Sequence, residues 1–198
     1  MGRKILNIGI TDYKECYDLQ KRLHNQVKKG SAQEHIIITE HRPVITIGRS
    51  GSKKNLLVSQ KFLKSKGINV IETDRGGDIT YHGPGQIMIY PIIDLRKPAS
   101  FYKDVHKYLH FLENMIVEFL TGYDIDAFAI QGKTGVWTDE GKIASIGVGV
   151  SGWVTYHGIA LNVDCDLTPF EWIHPCGFKD ISVTSMEETV KEKCEKVS

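Results

Sequence analysis

The sequence predicts an α/β protein of the α+β type, with a mixed, mainly antiparallel sheet and helices packed against it. Three observations carry that expectation. Short runs rich in β-branched residues outnumber helical stripes, several of those runs lie only a turn apart, and no regular strand–helix–strand repeat organises them. At 198 residues, 41% hydrophobic and 25% charged, the chain has the size to bury one continuous core, so residues 1–198 are expected to form a single domain.

Taken in order, apolar side chains first fall at Tyr13, Cys16, Leu19, Leu23 and Val27. These steps of three and four make one stripe of a helix that opens after Thr11-Asp12 and closes at Gly30. Residues 36–39, 44–47, 70–72, 79–81 and 87–90 read as strands, and Gly83-Pro84-Gly85 between the last two predicts a hairpin. A second helical stripe, Val105, Leu109, Leu112, Ile116, Phe119 and Leu120, follows Pro98-Ala99-Ser100 and stops at Gly122. Strands are expected again at 135–137, 143–150 and 154–163, and the tail from Glu187 reads as a charged, solvated helix or a frayed end. The sequence shows no internal repeat, low-complexity tract or linker.

Composition excludes several partners. A formal charge of +1 and a pI near 7.7 supply no global field to gather nucleic acid or an anionic membrane, so neither is expected. The longest apolar run, 143–150, is too short to cross a bilayer. Cys16, Cys165, Cys176 and Cys194 show no paired spacing, and Met-Gly-Arg-Lys-Ile-Leu-Asn lacks a signal-peptide core; a reducing cytoplasm is the expected setting. No heptad seam marks an interface, and a monomer is expected. Between residues 42 and 54 lie Arg42, Arg49, Lys53 and Lys54 with no acidic residue, which reads either as a docking patch for an acidic partner or as a solvated loop.

Three segments are candidates for chemistry. In Arg75-Gly76-Gly77-Asp78-Ile79-Thr80-Tyr81-His82-Gly83-Pro84-Gly85-Gln86, four glycines permit close backbone approach while Arg75, Thr80, Tyr81 and His82 offer donors; the alternative is a pair of tight turns around a strand. Lys142, at the mouth of the apolar run that follows Gly141, is either a partly desolvated proton-exchanging amine or a surface lysine of the turn Asp139-Glu140-Gly141. Pro175 and Gly177 fix the backbone around Cys176, which presents its sulfur at a bend unless the residue is a small core hydrophobe. Cys165, His174 and Cys176 lack the Cys-x-x-Cys spacing of a structural zinc site, so no metal is assigned.

Together with 153–163 (Trp-Val-Thr-Tyr-His-Gly-Ile-Ala-Leu-Asn-Val) and Val183-Thr184-Ser185-Met186, these segments closely resemble the lipoyl(octanoyl) transferase family. The resemblance implies the catalytic fold shared with biotin and lipoate ligases, a thioester intermediate on Cys176, and Lys142 as its proton-handling partner. It implies an acyl site lined by Arg75, Gly76, Gly77, Asp78, Ile79, Thr80, Tyr81 and His82, by Ser145, Ile146 and Gly147, and by Gly158, Ile159 and Ala160. It implies no cofactor. The donor would be octanoyl-acyl carrier protein, and the acceptors lipoyl domains of 2-oxoacid dehydrogenases and the glycine cleavage H protein. Gly76, Gly77, Gly147 and Gly158 would leave room for a narrow acyl tunnel, with Ile79 and Ile146 as walls. An ATP-dependent lipoate or biotin ligase is the rival on the same fold, but it needs no cysteine nucleophile.

Overall fold

The computed structural model describes residues 2–97, 102–177 and 181–197; the side chains of Cys176 and of residues 193–197 lie outside this description. Among the described residues the strands form two sheets. The larger sheet contains β1 (Lys4–Thr11), β2 (His35–His41), β6 (Gln86–Ile92), β10 (Val154–Asn162), β9 (Gly141–Ser151), β8 (Lys133–Thr138) and β7 (Phe128–Ile130), in that spatial order. It is antiparallel except where β1 runs parallel to β2. The smaller sheet has β3 (Val44–Ile47) at its centre, parallel to β4 (Asn69–Glu72) and antiparallel to β5 (Ile79–His82).

Two long helices cover the faces of the larger sheet. The first, α1 (Tyr13–Lys28), is capped by Asp12, whose carboxylate accepts the Lys14 N–H at 2.8 Å. Its Cys16, Leu23 and Val27 pack on Ile37, Met88, Tyr90, Ile92 and Ala160. After the short α2 (Gln60–Ser65), α3 (Val105–Thr121) is capped by Asp104 and buries Tyr108, Leu112, Ile116 and Leu120 on the other face, against Ala144, Ile146, Ile159 and Leu161. The cap lies beyond Pro98-Ala99-Ser100, which are outside the described residues. A third core under the smaller sheet joins Ile45, Ile47, Ile79 and Tyr81 to Leu63, Phe170 and Ile173. The tail from Met186 is helical, α4 (Met186–Val197). No helix among the described residues is long and apolar enough to cross a membrane.

The mixed, mainly antiparallel architecture and both long helices agree with the sequence reading. The hairpin expected at Gly83-Pro84-Gly85 does not form: β5 and β6 lie in different sheets, and the turn carries the chain from one to the other. Its backbone is held elsewhere, with Gly85 N–H on the Glu40 carboxylate at 2.8 Å and Gly85 O accepting the N–H groups of Val163 and Asp164. Because the two sheets diverge at this turn, a cleft opens between them.

Candidate active site

Alternation along the strands decides which side chains face that cleft. From the smaller sheet Thr80 and His82 line it; from the larger come Met88 and Tyr90 of β6, Ser145, Ile146 and Gly147 of β9, and Gly158 and Ala160 of β10. Arg75, Gly77, Asp78, Tyr13 and His157 complete the lining, and the space is about 440 Å³ including its open mouth. Arg75 is 8% exposed and is clamped onto β3: its Nε and Nη2 donate to Thr46 Oγ1 at 3.0 and 2.9 Å, and Nη2 also donates to Thr46 O at 2.8 Å. Gly76 N–H then donates to Val148 O at 2.9 Å, docking the loop on β9. A Cβ at Gly147 would stand 2.7 Å from Gly76 O, so the glycine is required for that approach.

The floor is polar and ordered. Gln86 Nε2 donates to Tyr81 O and to Asn162 Oδ1, so its Oε1 must accept, and His82 carries its proton on Nδ1 (2.7 Å). His82 Nε2 is then the acceptor for Thr46 Oγ1 at 3.2 Å. Burial holds His82 well below the usual histidine range, so it is neutral. Asn162 passes the line on, donating from Nδ2 to Thr184 O at 2.8 Å, and Thr184 N–H donates to Lys142 O at 3.1 Å. Beside it Asp74 accepts from Tyr17, Lys21, Tyr156 and His157. The hydrogen bond from His157 leads the causes that hold the Asp74 carboxyl far below its usual range. Burial lowers His157, which donates through Nε2 and leaves Nδ1 without a partner among the described residues.

Lys142 lies 3% exposed near the start of β9. Val136 pairs with Ala144, yet Trp137 pairs with Lys142, so Ile143 is an extra residue in β9. This β-bulge turns Lys142 to the face opposite Ala144, the face that Ser145 presents to the cleft. Its Nζ donates to Thr134 O at 3.0 Å and stands 5.1 Å from the Trp137 ring centroid. The Pro175–Gly177 turn that carries Cys176 is fastened at the cleft rim, where His174 N–H donates to Asn55 O at 2.8 Å and Asn55 Nδ2 donates to Asp78 Oδ2 at 2.7 Å. Gly177 has φ +76°, and a Cβ there would be 2.6 Å from Asp78 Oδ2. Cys16 and Cys165 are buried, and burial pushes their thiols up to about 11 and about 12. Neither is a thiolate near neutral pH.

A family profile described as the lipoyl protein ligase A/B catalytic domain matches residues 12–197. The chain belongs to that family. An octanoyltransferase of Geotalea uraniireducens is 47% identical over 186 residues, spanning 94% of this chain and 82% of that protein. One of Pelobacter propionicus is 44% identical over 184 residues, spanning 92% and 83%. This lipoyl protein ligase A/B family member is an acyltransferase, as those relatives are. Among solved structures, lipoate-protein ligase A bound with ATP gives a TM-score of 0.73 at 16% identity, over 96% of this chain and 75% of that one. The bipartite lipoate protein ligase of Thermoplasma acidophilum gives 0.69 at 16%, over 98% and 72%. At that identity the likeness is one of fold, the biotin/lipoate ligase-like catalytic fold.

Within this family fold, most of the residues expected at the acyl site come together, but Gly76, Ile79, Tyr81 and Ile159 do not line the cleft. Ile79 and Tyr81 alternate with Thr80 and His82 and point into the core under the smaller sheet, and Ile159 points to α3. Ile79 is therefore no wall of an acyl tunnel, whereas Ile146 borders the cleft. Gly76 contacts the β9 backbone rather than the cleft, and a Cβ at Gly158 would run into Ile89 O. Both glycines admit neighbouring backbone, and Gly158 also lines the cleft. The basic stretch is divided: Arg42 lies at one end of buried β3, and at the other Lys53 pairs with Glu72 at 2.7 Å while Arg49 donates to Tyr156 OH at 3.3 Å. The sequence reading did not assign Tyr13, Met88, Tyr90 or Asp74 to the site. Alternation of Gln86, Met88 and Tyr90 was a signal for two of them; nothing local marked Tyr13 or Asp74.

Proposed function

We propose that this chain moves an octanoyl or lipoyl group from acyl carrier protein onto Cys176 and then onto the lysine of lipoyl domains, including those of 2-oxoacid dehydrogenases and the glycine cleavage H protein. Residues 1–198 act as one catalytic domain. The observation that carries the reading is the course of the chain after His174. That segment starts on Asn55, whose side chain holds Asp78 of the cleft, and by Ser182 and Thr184 it is hydrogen-bonded to the Lys142 backbone, so the stretch of chain that carries Cys176 is fastened to both the cleft and the lysine.

In the first step the Cys176 thiolate attacks the carrier thioester, a new thioester forms and the carrier thiol leaves with a proton. In the second the acceptor amine attacks, its proton passes to Lys142 or to the departing Cys176 sulfur, the carbon–sulfur bond breaks and an amide forms, downhill without ATP. A free thiol titrates at about 8.5 and is only a few per cent ionised at pH 7. Lys142 therefore accepts its proton or, as ammonium, stabilises the anion. Burying roughly six methylenes at about 0.8 kcal/mol each contributes on the order of 5 kcal/mol, enough to select by length.

Intact-mass analysis after mixing the protein with octanoyl carrier protein, without ATP, tests the scheme. One added octanoyl group, discharged by an acceptor lipoyl domain and absent in Cys176→Ala, is expected. Modification that requires ATP and survives Cys176→Ala would assign the chain to the ligases instead.

A further inference from the structure

A carboxylate lies in the core beneath α3. Glu113 is 4% exposed on a helix face otherwise made by Tyr108, Leu112, Ile116 and Leu120, where an ionised group persists only if hydrogen-bonded. Its Oε1 accepts the Gly135 N–H at 3.0 Å, and its Oε2 lies 3.0 Å from Nδ1 of the exposed His110. Gly135 N–H and Thr134 C=O are the two ends of one peptide unit. That unit is trans, so they point in opposite directions in one plane. Thr134 O in turn accepts from Lys142 Nζ at 3.0 Å. Carboxylate, peptide and ammonium thus form one continuous line of hydrogen bonds, charged at both ends. Gly135 lets the line close: its φ is +130°, and a Cβ there would stand 2.5 Å from Lys142 Cε and 2.6 Å from Ala144 O.

The geometry points to Glu113 as a positioning residue for Lys142, acting through the Thr134–Gly135 peptide. A carboxylate on the N–H polarises the peptide and deepens the negative charge on Thr134 O, the atom that receives the lysine. It also fixes that oxygen in space, and with it the end of a side chain that otherwise turns about four bonds. This role rests on the proton-handling role proposed for Lys142.

A double-mutant cycle in the full chain tests it, read as the single-turnover acylation rate with octanoyl carrier protein. Glu113→Gln keeps an acceptor for Gly135 N–H but removes the charge. In the parent it is expected to slow acylation roughly tenfold, the size of coupling found within one hydrogen-bond network, and to leave half-saturation by the carrier unchanged. In a Lys142→Ala background the same change is expected to alter the rate by less than about twofold. An equal factor in both backgrounds, or a parental rate for Glu113→Gln alone, overturns the inference. A parental rate for Lys142→Ala would remove the role of Lys142 itself, and the relay with it. Should Glu113→Gln not fold, Glu113→Asp, which withdraws the charge by one methylene, carries the same cycle.

Discussion

Trp137 and Lys142 face each other across β8 and β9 beside a bulge at Ile143, with the ammonium nitrogen 5.1 Å from the indole centroid. The indole face and the Thr134 carbonyl hold the end of the Lys142 side chain in place, and the bulge sets it on the face of β9 that Ser145 presents to the cleft. Lys142→Ala is therefore expected to slow acylation by roughly 10²- to 10⁴-fold. Lys142→Arg should fail to restore it, because a guanidinium stabilises an anion but accepts no proton below about pH 12. Single-turnover rates across roughly pH 6 to 10 check this. Near-parental rates for arginine at neutral pH would make Lys142 an electrostatic stabiliser and not a base.

Added bulk at Gly147 meets backbone before it meets an acyl chain, since Gly76 O would lie 2.7 Å from the new Cβ. Gly147→Val is expected to lift the 75–77 loop off β9, lower the melting temperature, and depress octanoyl and butanoyl transfer in parallel. A selective loss of octanoyl transfer at unchanged melting temperature would show instead that position 147 sets acyl length.

Asp74 accepts four hydrogen bonds, two on each oxygen: Tyr17 and His157 on Oδ1, Tyr156 and Lys21 on Oδ2. In Asp74→Asn the new amide nitrogen must face two donors whichever way it is turned. A destabilisation of about 1–3 kcal/mol is expected, measurable by urea unfolding. A variant as stable as the parent would show that the network rearranges freely.

Acid should weaken the fold through its buried histidines. An unfolded histidine titrates near 6.5, whereas burial pushes His41 down to about 4 and holds His82 well below its usual range. Within that window the unfolded chain binds more protons, so stability is complete above about pH 6.5 and falls as the pH drops toward 4. His41 alone contributes on the order of 3 kcal/mol to this fall. Melting temperatures at pH 7.5 and 5.0 should differ accordingly, and His41→Phe should reduce the difference. A slope unchanged by His41→Phe would place the acid sensitivity elsewhere.

The sequence by itself determined the two amphipathic helices, because apolar side chains spaced by 3.6 residues have one face to bury, and most strands, because alternating β-branched residues suit a pleated sheet. It also determined the motif order that marks the family, since Arg75 to Gln86, Lys142 and Pro175 to Gly177 are local patterns. It missed β1, whose Ile5 and Ile10 are 63% and 53% exposed on an edge, and β7, whose three residues are too few for a period. Only the tertiary structure decided that β5 and β6 part into two sheets, that Thr80 faces the cleft while Ile79 does not, and that a bulge sets Lys142 on the same face of β9 as Ser145. Each of these depends on pairing register, which is set by contacts between residues far apart in the chain and leaves no local trace. The line from Glu113 through Gly135 to Lys142 is of the same kind: three residues from a helix and two strands, joined by one peptide unit.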